Sequence, residues 1–324
     1  MGRIVGPDGF RRIQKDRLDD QRASDKESDA ASIDASPTAH SPSRPVPVLA
    51  VSVHDQPSEA TTVESCALAW RHRLCHAAAM ASLRVATWNI AGARREQTNQ
   101  VDLDAVVAGV RALGVDLLAV QEVDRTLARS GRSDQPAVIA QALGAGWFWS
   151  YAPALVGDDF RPLSGPDPGG PAYGNLLVSR LPLAAVEHLR FPPAGGGEQR
   201  TAILASIQVG SRPVTVAATH LSNRQGHNVR QLRELQQVAG SRVAPRLLVG
   251  DLNLPSTVLV LASRRGWPET GRGRTWPNSA PTQQLDHILR NDPAGAVQPR
   301  GARVVAAPVS DHRALVVELD IAAS

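Results

Sequence analysis

Between residues 83 and 320 the chain repeats one costly pattern, an apolar run closed by a polar side chain. RVATWN closes on Asn89, DLLAVQE on Glu122 and VTVAATH on His220, and RLLVGDLN closes on Asp251 and Asn253. Asp286 interrupts QLDHIL, and Asp311 and His312 open the last apolar run in VSDHRAL. Charged groups at the mouths of apolar strands cost several kcal/mol each when buried without partners. The economical solution is a shared cleft, where these side chains meet each other, a metal ion and a substrate.

The rest of the pattern bounds the architecture. Short apolar runs predict strands over 83–90, 116–123, 147–155, 175–179, 202–209, 214–220, 247–250, 285–289, 304–306 and 314–319. Amphipathic segments predict helices over 101–113, 134–143 and 229–239, the second capped by Ser133 or Asp134, and a further helix after Pro255. Residues 157–172 form a long Pro/Gly-rich loop. Many strands, few helices and several adjacent strand pairs argue against a purely parallel sheet. They predict an α/β fold, a four-layered α/β sandwich of two packed mixed β-sheets flanked by helices.

Composition removes other classes. No stretch approaches the about 18 uninterrupted apolar residues of a membrane span, so no integral membrane association is expected. Both cysteines, Cys66 and Cys75, precede Met80, which excludes a disulfide framework or a cysteine-ligated zinc site from the main domain. Residues 1–79, rich in Ser, Asp, Ala and Pro, read as a poorly ordered or disordered extension, and 80–324 as the catalytic domain. The abrupt change at Met80 suggests translation starting there; a native N-terminal mass beginning at Met1 would contradict that. The first nine residues lack an apolar signal core, so the expected location is cytoplasmic. Residues 81–324 carry 25 arginines against 20 acidic residues, and no lysine. This mild excess permits an anionic substrate without forming a nucleic-acid footprint.

The residue types fit one chemistry. Four carboxylates (Glu122, Asp251, Asp286, Asp311), two asparagines and two histidines make a hard, oxygen-rich site suited to Mg²⁺ or Mn²⁺. Histidine beside aspartate is held in one tautomer, and asparagine gives a phosphate oxygen a neutral donor. His287 is expected on the opposite face of its strand from Asp286.

The motifs TWNI, QEV, YGNLLVSRLPL, THLS, GDLN, LDHIL and SDH, in this order, resemble the endonuclease/exonuclease/phosphatase superfamily over about residues 83–321. The resemblance implies Glu122 as principal metal ligand and Asn89 near the metal-bound phosphate, orienting Asp251. It implies Asp251 as the group that positions or deprotonates the attacking water, Asn253 as a phosphate donor and Asp311 as an alternative or supporting metal ligand. His312 would contact the phosphoryl oxygen, oriented by Asp286. His220 would contact that oxygen or protonate the leaving group, with Asp159 and Asp167 of the long loop as candidates for its acidic partner. The implied activity is Mg²⁺/Mn²⁺-dependent hydrolysis of a phosphate ester, whether small molecule, lipid head group or nucleic acid. AP endonucleases carry an acidic residue where this chain has Ala91, and lack the THL histidine; the helix NVRQLREL resembles the sphingomyelinase and deadenylase branch instead. A nuclease, and a catalytically inactive binding module, are the competing readings. No protein partner is implied.

Overall fold

The central strands are apolar on both sides, and that decides the layering. In the computed structural model, which describes residues 80–193 and 197–324, twelve strands form two sheets. The first sheet contains β1 (Met80–Asn89), β2 (Leu117–Arg125), β3 (Phe148–Val156), β4 (Arg161–Pro162), β5 (Ala172–Ser179), β11 (Val297–Val305) and β12 (Ala314–Ala322). Its order is β11-β12-β1-β2-β5-β3-β4. The second contains β6 (Ala184–Phe191), β7 (Arg200–Val209), β8 (Arg212–His220), β9 (Arg246–Asp251) and β10 (Asp286–Asn291), in the order β10-β9-β8-β7-β6. Only β1–β2 and β8–β9 pair in parallel. Each parallel step needs a crossover. Helix α1 (Leu103–Leu113) makes the first, and α3 (His227–Gly240) the second.

Alternate residues of one strand feed two different cores. Leu83 and Val85 of β1 and Leu117 and Ala119 of β2 face Ile203, Val216, Val249 and Ile288 of the other sheet. Their neighbours Ala86, Trp88, Leu118 and Val120 pack outward on Val106 and Val110 of α1 and Ile139 of α2 (Gln135–Leu143). On the far side, Leu204, Ala217 and Leu248 pack on Leu232 and Leu235 of α3 and Leu259 of α4 (Ser256–Ala262). The layers are therefore helix, sheet, sheet, helix, as expected. Strands buried on both faces read as continuous apolar runs, which is why they were legible.

The helix ends follow local chemistry. Asp102 accepts the amide of Ala105 and Asp134 that of Ala137, each capping its helix. Gly114 closes α1 at φ 59°, a left-handed conformation that suits glycine. Several strands departed from expectation, one being the two-residue β4 inside the expected loop 157–172. The strand β6 was missed because its side chains are almost all exposed and carry no apolar period. Strand β11 begins seven residues earlier than the expected 304–306, through an exposed stretch bulged between Pro299 and Gly301. Strand β1 starts at Met80, three residues before the expected 83–90. The disorder expected over 1–79 lies outside the described residues. Among the described residues, no helix is long and apolar enough to cross a membrane.

Next to β2 lies a buried charge cluster. Asp124, fully buried, accepts two bonds from Arg129 at 2.9 and 2.6 Å, with Arg94 at 3.9 Å. Arg129 stacks over the rings of Phe160 and Tyr173. Truncating Asp124 to alanine strands buried positive charge, so we expect a loss of about 3–5 kcal/mol in urea unfolding. A loss under about 1 kcal/mol would show that the cluster behaves as a surface pair.

Candidate active site

Strand register builds the first row of the site. His220 ends β8 opposite Asp251, the last residue of β9, and Asp251 lies opposite Asp286, the first residue of β10. Three polar side chains thus stand abreast at one end of the second sheet. The first sheet contributes Asn89, the last residue of β1. Its Oδ1 accepts the amide of Ala91 at 3.0 Å, which turns Nδ2 toward the carboxylates. That Nδ2 donates to Asp251 Oδ2 and to Glu122 Oε1, both at 3.0 Å. Glu122 sits at the irregularity where β2 slips register against β5, with φ 57°. The bulge re-aims this one side chain toward the cleft.

Asp251 is the hub. Its Oδ1 accepts the amide of Asn253 at 2.9 Å, and Asn253 itself holds φ 50°. Its Oδ2 lies 3.4 Å from His220 Nε2 and 3.8 Å from His312 Nε2. Burial and the neighbouring Asp286 charge raise the Asp251 carboxyl, against the pull of His312, Asn89 and the Asn253 amide, to about 6. His312 Nδ1 donates to Asp286 Oδ2 at 2.9 Å. Burial alone would lower this imidazole; the charges of Asp286, Asp251 and Asp311 outweigh it and raise it to about 10. Asp251, Asp286 and His312 each offer a ligand atom within 4.8 Å of the others. Asp286 Oδ1 is buried with no hydrogen-bond partner.

The structure therefore brings seven of the eight expected residues into one linked set: Asn89, Glu122, His220, Asp251, Asn253, Asp286 and His312. Asp311 stands aside: half-buried, it accepts the Trp276 indole at 3.3 Å through Oδ2. Asp311 and His312 lie before β12 rather than opening it. His287 faces away from the site as expected, bonded to Glu269 and to the Leu254 carbonyl, each at 2.7 Å. Both candidate acids of the long loop pair elsewhere than with His220. Asp159 pairs with Arg161 at 2.8 Å and Asp167 with Arg125 at 2.6 Å. What meets His220 Nδ1 is a cation, Arg200 NH1, at 2.9 Å.

Several supporting residues escaped the sequence reading. Ser310, at φ 69°, donates to the Asn89 carbonyl and accepts the His312 amide, tying the end of β1 to the loop before β12. The buried Thr275 hydroxyl accepts the amides of Leu285 and Asp286 at 3.2 and 3.3 Å, which ties the segment Thr275–Pro277 to the start of β10. Asn228 of α3 holds the Asn253 carbonyl at 2.9 Å. Each lies in or beside a motif, yet short polar residues in loops carry no signal that separates a clamp from a turn.

The family model described as "Endonuclease/Exonuclease/phosphatase family" matches residues 86–312. The chain belongs to the endonuclease/exonuclease/phosphatase family. The match takes in all eight expected residues, from Asn89 to His312. Members of this family are hydrolases acting on phosphate esters. An endonuclease/exonuclease/phosphatase from Beutenbergia cavernae is similar at 24% identity and TM-score 0.56, over 75% of this chain and 72% of that one. The human Nocturnin catalytic domain is similar at 19% identity and TM-score 0.54, over 74% of this chain and 94% of that one. A humanized D. rerio TDP2 is similar at 15% identity and TM-score 0.55, over 74% and 98%. At these identities the likeness establishes the shared fold. No curated protein matches the chain.

Proposed function

We propose that this chain hydrolyses phosphate esters with Mg²⁺ or Mn²⁺, by in-line attack of water on phosphorus. One observation carries the reading: the buried Asp251 carboxyl, raised to about 6, is ringed by Asn89, Asn253, His220 and His312. A base poised near neutrality is suited to accept a proton from water. Asn253 is placed to donate to a phosphoryl oxygen. The His312 imidazolium, aimed by Asp286, is placed to balance charge growing on the equatorial oxygens. His220 forms the remaining wall.

The donor set fits a hard divalent ion, because every carboxylate in it is an oxygen donor and Asp286 Oδ1 is buried without a partner. Glu122 would hold it, with Asn89 alongside; Asp311, turned to Trp276, stands outside this pair. When bound, such an ion neutralises phosphate charge. Asn89 orients Glu122, and loss of such a supporting partner typically costs about 10–100-fold in metal affinity. Asn89→Ala should raise by that factor the Mg²⁺ concentration giving half-maximal activity. It should also shrink the rise in Tm produced by Mg²⁺. Unchanged Mg²⁺ dependence would remove Asn89 from the metal site.

The test is hydrolysis of bis-p-nitrophenyl phosphate beside p-nitrophenyl phosphate by the full chain, with Mg²⁺, Mn²⁺ or EDTA. Diester cleavage that EDTA abolishes and Mg²⁺ restores supports the reading. Turnover untouched by EDTA sinks the metal dependence. Cleavage of the monoester alone indicates a phosphatase. Oligonucleotide cleavage that falls steeply with salt indicates a nuclease; the lysine-free domain favours a smaller ester.

A further inference from the structure

Histidines placed for phosphoryl chemistry differ by what stands behind the ring. Behind His312 is a carboxylate, Asp286, at 2.9 Å. Behind His220 is a guanidinium, Arg200, also at 2.9 Å. Both residues are buried, at 2% and 4% exposure. Arg200, the first residue of β7, also reaches Glu198 at 3.2 Å, which holds the guanidinium in place.

A guanidinium only donates and stays charged across the whole useful pH range. Nδ1 of His220 must therefore accept. An Nδ1–H tautomer, or an imidazolium, would set N–H against N–H across 2.9 Å. The remaining form carries its proton on Nε2. That nitrogen lies 3.4 Å from Asp251 Oδ2, a proper acceptor. It also lies 3.0 Å from Asn253 Nδ2, whose other bond goes to the Leu221 carbonyl at 3.0 Å. The amide can keep its Leu221 bond and give its second proton to a substrate oxygen, whereas the guanidinium, paired with Glu198, stays behind the ring.

We propose that Arg200 is a positioning residue that holds His220 as a neutral Nε2–H donor, so that His220 binds a phosphoryl oxygen and does not protonate the leaving group. The two histidines then divide the work. His312 brings positive charge, and His220 brings a directed hydrogen bond in a place where a second imidazolium would face Arg200. When water's oxygen bonds to phosphorus, the bond to the leaving oxygen breaks with its electron pair staying on that oxygen. The proton that oxygen acquires comes from solvent. Esters with weakly basic leaving oxygens, phenolic or phosphoryl, should therefore be turned over faster than alkyl esters of the same diester class. This role rests on the hydrolase reading above; the arrangement of Arg200 on His220 does not.

The test separates the two. In the full chain labelled with ¹⁵N-histidine, ring ¹H–¹⁵N spectra report which nitrogen of His220 carries the proton, with assignment by loss in His220→Gln. We expect an unprotonated Nδ1 and a protonated Nε2 at neutral pH. Arg200→Lys, still an obligate donor, should keep this pattern and most of kcat. Arg200→Glu places an acceptor behind the ring and should move the proton to Nδ1. Its kcat on bis-p-nitrophenyl phosphate should fall about 10²–10³-fold, the cost of losing one oxyanion donor. Protonated Nδ1 in the unsubstituted chain overturns the proposal, even if Arg200→Glu does not fold. A folded Arg200→Glu with a moved proton and unchanged kcat overturns the phosphoryl role. The expected tautomer in a chain that hydrolyses no phosphate ester overturns the hydrolase reading and leaves the coupling standing.

Discussion

Replacing His312 with alanine is expected to lower kcat on bis-p-nitrophenyl phosphate about 10²–10⁴-fold, the range spanned by one positioned acid–base group. The imidazole is buried, bonded to Asp286 at 2.9 Å and 3.8 Å from Asp251. Those two carboxylates, with Asp311, raise it to about 10 against the opposing effect of burial, so at neutral pH it is a cation. Alanine removes the one positive charge between two buried carboxylates. They then repel each other, and Asp251 moves still further toward its protonated form. A protonated Asp251 cannot accept a proton from water, so one substitution disables two groups. Loss of one partner of a buried pair also costs stability, about 3–5 kcal/mol. The variant must therefore be shown folded by circular dichroism before its kinetics are read. Asp286→Asn separates the effects: it keeps a side chain against Nδ1 while removing the charge that favours the imidazolium, and should cost less than the alanine. A folded His312→Ala protein with kcat within threefold of the unsubstituted chain would remove His312 from the chemistry.

The second large effect is structural. Gly250, the residue before Asp251, pairs with Thr219 in the parallel β8–β9 ladder. A Cβ at Gly250 would stand 1.9 Å from the Thr219 carbonyl oxygen and 2.9 Å from its carbon. Both are backbone atoms of the neighbouring strand, so no side chain can swing away. Gly250→Ala must part β8 from β9 at the point where His220 and Asp251 lie opposite each other. We expect a loss near the upper end of overpacking costs, about 3 kcal/mol. That is a fall in Tm of about 6–12 °C for a domain of this size. Activity should fall with it, because a fraction of an ångström at Asp251 misplaces the attacking water. A Tm within about 2 °C of the unsubstituted chain would mean that the strands separate without strain. The same reasoning explains the glycine of YGN, since a Cβ at Gly174 would stand 2.1 Å from the Ala152 carbonyl oxygen.

Much of this site could be read from the chain because two physical signals coincide. A strand buried on both faces must be apolar along its length, and a functional side chain at its end breaks that run abruptly. Asn89, His220 and Asp251 each end a strand, and each stood out for that reason. Glu122 stood out in the same way, though it lies within β2 at a bulge that no local pattern announces. Strand β6 offered neither signal: it is an exposed edge, free of any apolar period. Asp311 shared its motif with His312 but turns toward Trp276, because the two residues sit in the bend that precedes β12 and no strand period sets their directions.

The chain's own order of residues thus determined the layered α/β architecture, the family and the set of side chains gathered at the strand ends. Periodicity and residue type are local properties, and a single sequence displays them. Only the tertiary structure decided which of those side chains touch. Asn89 reaches Asp251 across 162 positions, from one sheet to the other. Arg200 stands behind His220 because β7 and β8 are antiparallel neighbours, with Ala202 opposite Thr219. Register is set by the packing of whole sheets, and one residue of slip would turn each of these side chains to the other face. The sign of the charge behind His220, and with it the proton that ring carries, is a property of that register.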